Sequence, residues 1–148
     1  MDLLELLKKE HDEVRANLQK FSELKEDPDG NGRELQRIFT RLKSDLEAHM
    51  AGEERVFYPR LKDTEESRSE AMEAIEEHHV VKLLLREIGS IQMGEKWVAK
   101  MSVLKENVEH HAEEEEEEVF PISRKLFSEA DLDRMAREFK QEKKASGH

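Results

Sequence analysis

The sequence contains no cysteine, only three prolines, and few aromatic residues, which make up 5% of the chain. Without cysteine, disulfides, thiolate metal sites and cysteine nucleophiles are excluded. Charged residues make up 41% of the chain, and this balance is typical of long, solvated helices rather than of a β-rich domain. No apolar stretch approaches the roughly 20 residues of a membrane span, and the first residues contain no signal-peptide core. We therefore expect a soluble, cytoplasmic protein.

The formal net charge of -11 disfavours nucleic acid and anionic membranes as partners and favours the approach of cations. The length of 148 residues is that of one domain with a single core. We expect residues 1–125 to form this domain, and residues 126–148 to form a short helix and a disordered tail.

Apolar residues recur at alternating steps of three and four in four segments, which predicts amphipathic helices over about residues 2–25, 33–58, 66–91 and 95–120. The breaker-rich segments DPDGNG and MGEK separate them. Pro59 is expected to end or kink the second helix, and Pro121 to end the fourth. Ser128 has the character of an N-cap for a short fifth helix, and the final KKASGH is expected to be disordered.

The chain also repeats itself. A shift of 67 residues superimposes the apolar stripe of the first helix on that of the third, and a shift of 62 superimposes the second on the fourth without a gap. Two helical hairpins of one design can bury their apolar stripes against each other. The sequence therefore predicts an all-α fold, an antiparallel up-down four-helix bundle with a short C-terminal fifth helix.

Ligand-type residues interrupt the apolar stripes at repeated positions. In the second and fourth helices a histidine precedes a glutamate by four residues, so both side chains lie on one helix face. Buried carboxylates are costly unless they are neutralised, and without cations they would have to protonate or admit water. Imidazole and carboxylate donors suit iron, manganese and zinc. The predicted metal ligands are His11, His49, Glu53, His78, His111 and Glu115.

Other interpretations of these residues stay open. A lone histidine on an apolar stripe is more often a packed side chain than a ligand, and His-x-x-x-Glu occurs by chance in a glutamate-rich chain. A structural bundle without metal is therefore an alternative, although four histidines in phase with repeated stripes favour metal binding. His79 and His110 lie about 100° around the helix from the predicted ligands and are expected at the bundle boundary. His148 belongs to the tail.

Four segments carry a resemblance to a known family: KEHDEV around His11, HMAGEERVFYP from His49, EEHHVVKLLL around His78 and HAEEEEEEVFP from His111. At these residues the chain resembles the hemerythrin-like (HHE cation-binding) family. The resemblance implies two iron ions bridged by two carboxylates and an oxo or hydroxo oxygen, with the same six residues as ligands. Zinc and manganese accept the same donors.

The chain departs from the oxygen-carrying hemerythrins at Lys82, where those proteins have a further histidine ligand. The resemblance then implies a more open site that binds or reacts with O2, peroxide or nitric oxide. Whether this reaction is enzymatic turnover is left open. The alternative is a sensing or storage module for iron or oxygen that acts through a separate protein partner, without turnover. The ligand pocket is expected to be lined by Val14, Leu46, Val81, Leu85 and Val108.

Overall fold

Five helices make up the computed structural model over residues 1–145, the part of the chain that it describes. They are α1 (Leu3–Leu24), α2 (residues 32–62), α3 (Glu65–Gly89), α4 (residues 95–126) and α5 (Glu129–Ala145). No strand occurs in this range, and none of its helices has the length and apolar character needed to cross a membrane. The predicted all-α architecture is confirmed.

The apolar stripes of the bundle build two buried clusters. The Trp97 cluster contains Val14 to Phe21 of α1 and Leu35 to Met50 of α2, together with the facing residues of α3 and α4. The Phe139 cluster contains the start of α1, the end of α2 and part of α5. Helix α1 runs from the Phe139 cluster to the Trp97 cluster, α2 runs back, and α3 and α4 repeat this path. The bundle is therefore up-down and antiparallel, as predicted.

Helices α2 and α4 do not end at their prolines, so the prediction that Pro121 closes the fourth helix is wrong. In α2, α-helical Gly32–Gly52 is followed by the π-helical turn Glu53–Phe57 and then by α-helical Tyr58–Lys62. In α4, Glu95–Glu114 is followed in the same way by Glu115–Val119 and Phe120–Leu126. A π turn widens the helix just before the proline ring, which relieves its clash with the preceding turn. At Pro59, where the sequence predicts an end or a kink, the helix continues after the π turn.

Side chains stabilise the helices at both ends of the chain. Asp2 caps α1 in a capping box, in which the backbone N–H of Glu5 donates to Asp2 Oδ1 at 2.9 Å. Ser128 caps α5 as predicted, because its Oγ accepts from the Asp131 backbone N–H at 3.1 Å. Residues 143–145, which were expected to be disordered, continue α5. Ser146, Gly147 and His148, the remainder of the predicted tail, lie outside the described residues.

Helix α5 packs on α1 and α2 at the Phe139 cluster. Gly52 of α2 allows this close approach, because a Cβ atom there would lie 2.4 Å from the Phe139 ring. The Phe139 ring lies edge-on to the His49 ring, with centroids 6.1 Å apart. The fifth helix thus covers the end of the bundle in which the predicted ligands lie.

Candidate metal centre

All six predicted ligands lie between the two clusters, and all six are buried. Their exposed fractions do not exceed 9%, and Glu53 is fully buried. Their donor atoms fall into two groups within which every ligand atom lies within 4.8 Å of every other. The first group contains His11, His49, Glu53 and Glu115, and the second contains Glu53, His78 and His111. The structure therefore brings the six together, with Glu53 shared by both groups.

Glu53 lies between histidines of two different helices. Its Oε1 is 3.1 Å from Nε2 of His49 on the same helix and 3.1 Å from Nε2 of His78 on α3. Neither carboxylate oxygen of Glu53 has a hydrogen-bond partner in the described structure. A carboxylate in this position can connect two metal ions.

Glu115 has the equivalent position in the other half of the bundle. Its Oε1 is 3.2 Å from Nε2 of His11, and its Oε2 is 3.5 Å from Nε2 of His111. The two oxygens therefore face one histidine from each group. Both glutamates begin π turns, which are frequent at functional sites.

A second carboxylate holds the outer nitrogen of each of the four histidines predicted as ligands. Each Nδ1 lies within hydrogen-bond distance of a glutamate, which fixes the ring so that Nε2 faces inward. The pairs are His11 with Glu116 (2.7 Å), His49 with Glu10 (2.9 Å), His78 with Glu54 (2.7 Å) and His111 with Glu77 (2.6 Å). Each of these glutamates belongs to a different helix from its histidine, so the contacts join all four helices in a ring.

Three of these four glutamates are in turn paired with a cation of the chain. Arg15 binds Glu116 at 2.8 and 3.1 Å, Lys82 binds Glu54 at 2.9 Å, and Lys143 of α5 binds Glu10. The Lys82 side chain is 44% exposed, and it supports the predicted ligand His78 through Glu54. Sequence reasoning identified neither the four glutamates nor their cations.

The carboxylates determine where protons lie when no metal is bound. Burial alone would lower the pKa of His49, but the charge of Glu53 and the hydrogen bond to Glu10 raise it to about 10. Burial likewise opposes the protonation of His78, whose pKa the carboxylates of Glu53 and Glu54 raise to about 9. Against the effect of burial, His49 and His78 hold the pKa of Glu53 well below its usual range. His49 and His78, rather than the buried Glu53, therefore take up protons.

The arrangement fits metal ions better than protons. Nε2 of His11 and of His49, both oxygens of Glu53, and Oε1 of Glu115 are buried without a hydrogen-bond partner in the described structure. Two donors that bind one ion at right angles, each at about 2.1 Å, are about 3.0 Å apart. The observed N···O distances of 3.1 and 3.2 Å match this spacing. The His/Glu donor set therefore fits a metal-binding bundle.

Tyr58 also reaches the centre, although the sequence pattern did not identify it. Its hydroxyl donates to Oε2 of Glu115 at 2.6 Å and lies 3.2 Å from Nε2 of His78. In a regular α-helix Tyr58 would lie about 140° around the axis from Glu53, but the π turn brings it to the same face. Burial and the charges of Glu115 and Glu53 raise its pKa well above the usual range, so the phenol stays protonated.

A small apolar cavity adjoins the centre on the side of the Trp97 cluster. All four histidines of the predicted ligand set line it, and its volume is about 30 Å³. Of the five apolar residues expected there, Val14, Leu46, Val81 and Val108 line the cavity. Leu85 packs in the Trp97 cluster instead.

The remaining polar residues of the two motifs lie outside the centre. His79 and His110 are exposed, in agreement with their expected place at the boundary. Among the run Glu113 to Glu118, Glu115 alone is fully buried. Its neighbour Glu116 contacts Nδ1 of His11. Nothing in the run of consecutive glutamates distinguished Glu116 from the others.

One comparison with known proteins finds a family. A family model described as the hemerythrin HHE cation-binding domain matches residues 2–123. The matched range contains all six predicted ligands and Tyr58, but not α5. No curated protein and no solved structure matches the chain.

Proposed function

This chain belongs to the hemerythrin HHE cation-binding domain family, and we propose that it holds two iron ions with which it binds or turns over a small oxidant such as O2, peroxide or nitric oxide. The observation that carries this proposal is the set of six donor side chains, on four helices, that converge between the two clusters, with five of their buried donor atoms lacking a hydrogen-bond partner in the described structure. Two ions would compensate the buried Glu53 and Glu115. Bound iron would supply the electrons for reduction of the oxidant.

Different histidines of the chain would bind each of the two ions. His11 and His49 would bind one ion, and His78 and His111 the other, with Glu53 and Glu115 shared between them. The outer glutamates orient the rings and increase the basicity of Nε2. The Tyr58 hydroxyl orients Glu115 through its hydrogen bond. Each ion would then have two histidine ligands, which leaves room for a small molecule.

The apolar cavity supports a small, weakly polar ligand. Its volume of about 30 Å³ exceeds the roughly 10–15 Å³ that one water requires. Valine and leucine side chains in its wall would exclude bulk water and large anions from this side of the centre. A diatomic molecule or peroxide fits both the size and the chemistry of this cavity.

A sensing role remains the second candidate, and α5 favours it. This helix lies outside the matched family range, yet Phe139 contacts the His49 ring and Lys143 binds Glu10, the partner of His49. A change of metal charge at His49 would therefore act on α5 through two contacts. Stable binding of a ligand without its consumption would favour sensing over turnover.

The proposed function is tested on protein purified from iron-supplemented cells. Metal analysis and the absorption spectrum give iron content and the presence of a di-iron centre, and addition of peroxide under anaerobic conditions measures consumption. We expect two irons per chain and a spectrum that changes on adding peroxide. Iron-loaded protein whose spectrum changes with none of O2, peroxide or nitric oxide would contradict the proposal.

A further inference from the structure

A second cavity, between α3 and α4, leads from the surface to the opposite side of the centre. Besides Glu115, five glutamates line it: Glu70, Glu73, Glu77, Glu114 and Glu118. The ligands His111 and Glu115 lie in the same wall. The cavity thus connects surface carboxylates with two predicted metal ligands.

Some of the carboxylates that line this cavity have buried oxygens without a hydrogen-bond partner in the described structure. Glu115 is 1% exposed, and its Oε1 makes no hydrogen bond within residues 1–145. Oε2 of Glu70 is also buried without a hydrogen-bond partner there, and the buried Oε2 of Glu114 has His110 Nε2 at 3.0 Å. No lysine or arginine of the described chain forms an ion pair with the five lining glutamates. The negative charge of the wall is therefore not balanced by a lysine or arginine side chain of the described residues.

Glu77 is the exception among the glutamates that hold ligand histidines. The other three bind Arg15, Lys82 or Lys143, whereas Glu77 lies beside Glu114 and His110. These three residues have ligand atoms within 4.8 Å of one another, and His110 Nε2 is 3.0 Å from Glu114 Oε2. One imidazole and two carboxylates form a donor set for a divalent cation, at the position where the other three pairs have a basic side chain.

We propose that the cavity between α3 and α4 is the entry route of divalent cations, with Glu77, His110 and Glu114 as an outer binding site from which the ion passes to the centre. The inference rests on the proposed function, because it assumes that the centre binds metal. A cleft lined by one sign of charge concentrates oppositely charged ions and accelerates their arrival. Cations would thus enter from the carboxylate side, while the oxidant occupies the apolar cavity.

The test measures the rate at which metal-free protein takes up Co²⁺, whose visible bands report its arrival among nitrogen and oxygen donors. The variant is Glu73→Gln/Glu114→Gln, and its matched control is Glu113→Gln/Glu117→Gln, which removes the same charge from exposed positions outside the cavity. We expect the cavity variant to load about 10-fold more slowly than the control, with the same final absorbance.

His110→Ala distinguishes binding at the outer site from general electrostatic attraction of cations, because it removes a metal-binding nitrogen without changing a carboxylate. It should also slow loading while final occupancy is unchanged. Equal loading rates in the cavity variant and its control would overturn the route but leave the proposed function intact. Unmodified protein that takes up no Co²⁺ would overturn the proposed function, so the two failures are distinguishable.

Discussion

The Tyr58 hydroxyl donates a 2.6 Å hydrogen bond to Oε2 of Glu115, and this contact makes the two halves of the centre unequal. Phe120 takes the position of Tyr58 in the second half, 62 residues further along. Its ring stacks on that of His11 with centroids 6.1 Å apart, but it has no hydroxyl to donate. Glu115 therefore has a fixed donor from the protein that Glu53 lacks.

Replacing Tyr58 with phenylalanine should destabilise the metal-free protein. Glu115 Oε2 would lose its donor in a buried site, which costs about 1–3 kcal/mol. Urea unfolding of metal-free Tyr58→Phe at neutral pH measures this loss, with Phe120→Leu as a control for altered packing at the equivalent position. An unchanged unfolding midpoint in Tyr58→Phe would show that the hydrogen bond does not hold Glu115.

The helices and the convergence of the six predicted ligands could be predicted from the sequence because both depend on one periodicity. His11 and His78 interrupt stripes that repeat at a shift of 67 residues, and all six side chains continue apolar faces. An α-helical period places such residues in the core whatever the details of packing. Six ligand-type side chains in one core then predict a common site.

The position of Tyr58, the course of the helices past the two prolines and the outer glutamate contacts could not be predicted. These features depart from the α-helical period or depend on contacts between helices. The π turns moved Tyr58 into the core and allowed the helices to pass Pro59 and Pro121, which an α-helical pattern excludes. Glu54 follows Glu53 on the same helix, yet it holds His78 on α3. Each of the four outer glutamates adjoins one predicted ligand in the sequence, but the histidine that it holds lies on another helix, and no sequence pattern indicated that contact.

The outer glutamates should govern metal affinity. Glu54→Gln and Glu116→Gln keep the shape of the side chain but remove the negative charge that orients His78 and His11. Such partners typically contribute 10- to 100-fold to affinity, so both variants should lose zinc or iron to a chelator at correspondingly lower concentrations. Glu117→Gln, an exposed neighbour, is the control. Equal retention of metal in all three variants would refute this role.

The stability of the metal-free protein should fall as the pH rises. His49 and His78 have pKa values near 10 and 9 in the folded protein, against about 6.5 in an unfolded chain. Their contribution is therefore fully present below about pH 6.5 and is lost as the pH rises through 9 and 10. Melting temperatures of metal-free protein between pH 6 and 10 test this, and an increase over that range would contradict it.

Bound metal should reverse this dependence of stability on pH. Ligand imidazoles must release their Nε2 protons, so metal affinity increases with pH and binding releases protons. The metal-loaded protein should melt at a clearly higher temperature than the metal-free form, with a gap that widens from pH 6 to 8. Equal melting temperatures after verified metal removal would show that the fold does not depend on the centre.

The presence of Lys82 in place of a further histidine should affect how the reduced protein reacts with O2. With two histidines for each ion, we expect the reduced protein to oxidise in air rather than to hold O2 as a long-lived reversible complex. Stopped-flow absorption of reduced protein mixed with oxygenated buffer distinguishes these outcomes. Lys82→His, which supplies the additional histidine of the oxygen carriers, should shift the protein towards stable binding. A stable oxygenated spectrum in the unmodified protein, reversed by removing O2, would show that four histidines suffice.

The most direct test of the two-ion centre is the metal stoichiometry of the unmodified chain and of two matched variants. His49→Ala removes a ligand from the first group, and His111→Ala removes one from the second. We predict two iron ions per chain in the unmodified protein, the di-iron absorption bands in that protein alone, and fewer than two tightly bound ions in each variant. Unmodified protein that binds one ion or none after iron loading, or variants that retain two, would contradict the account.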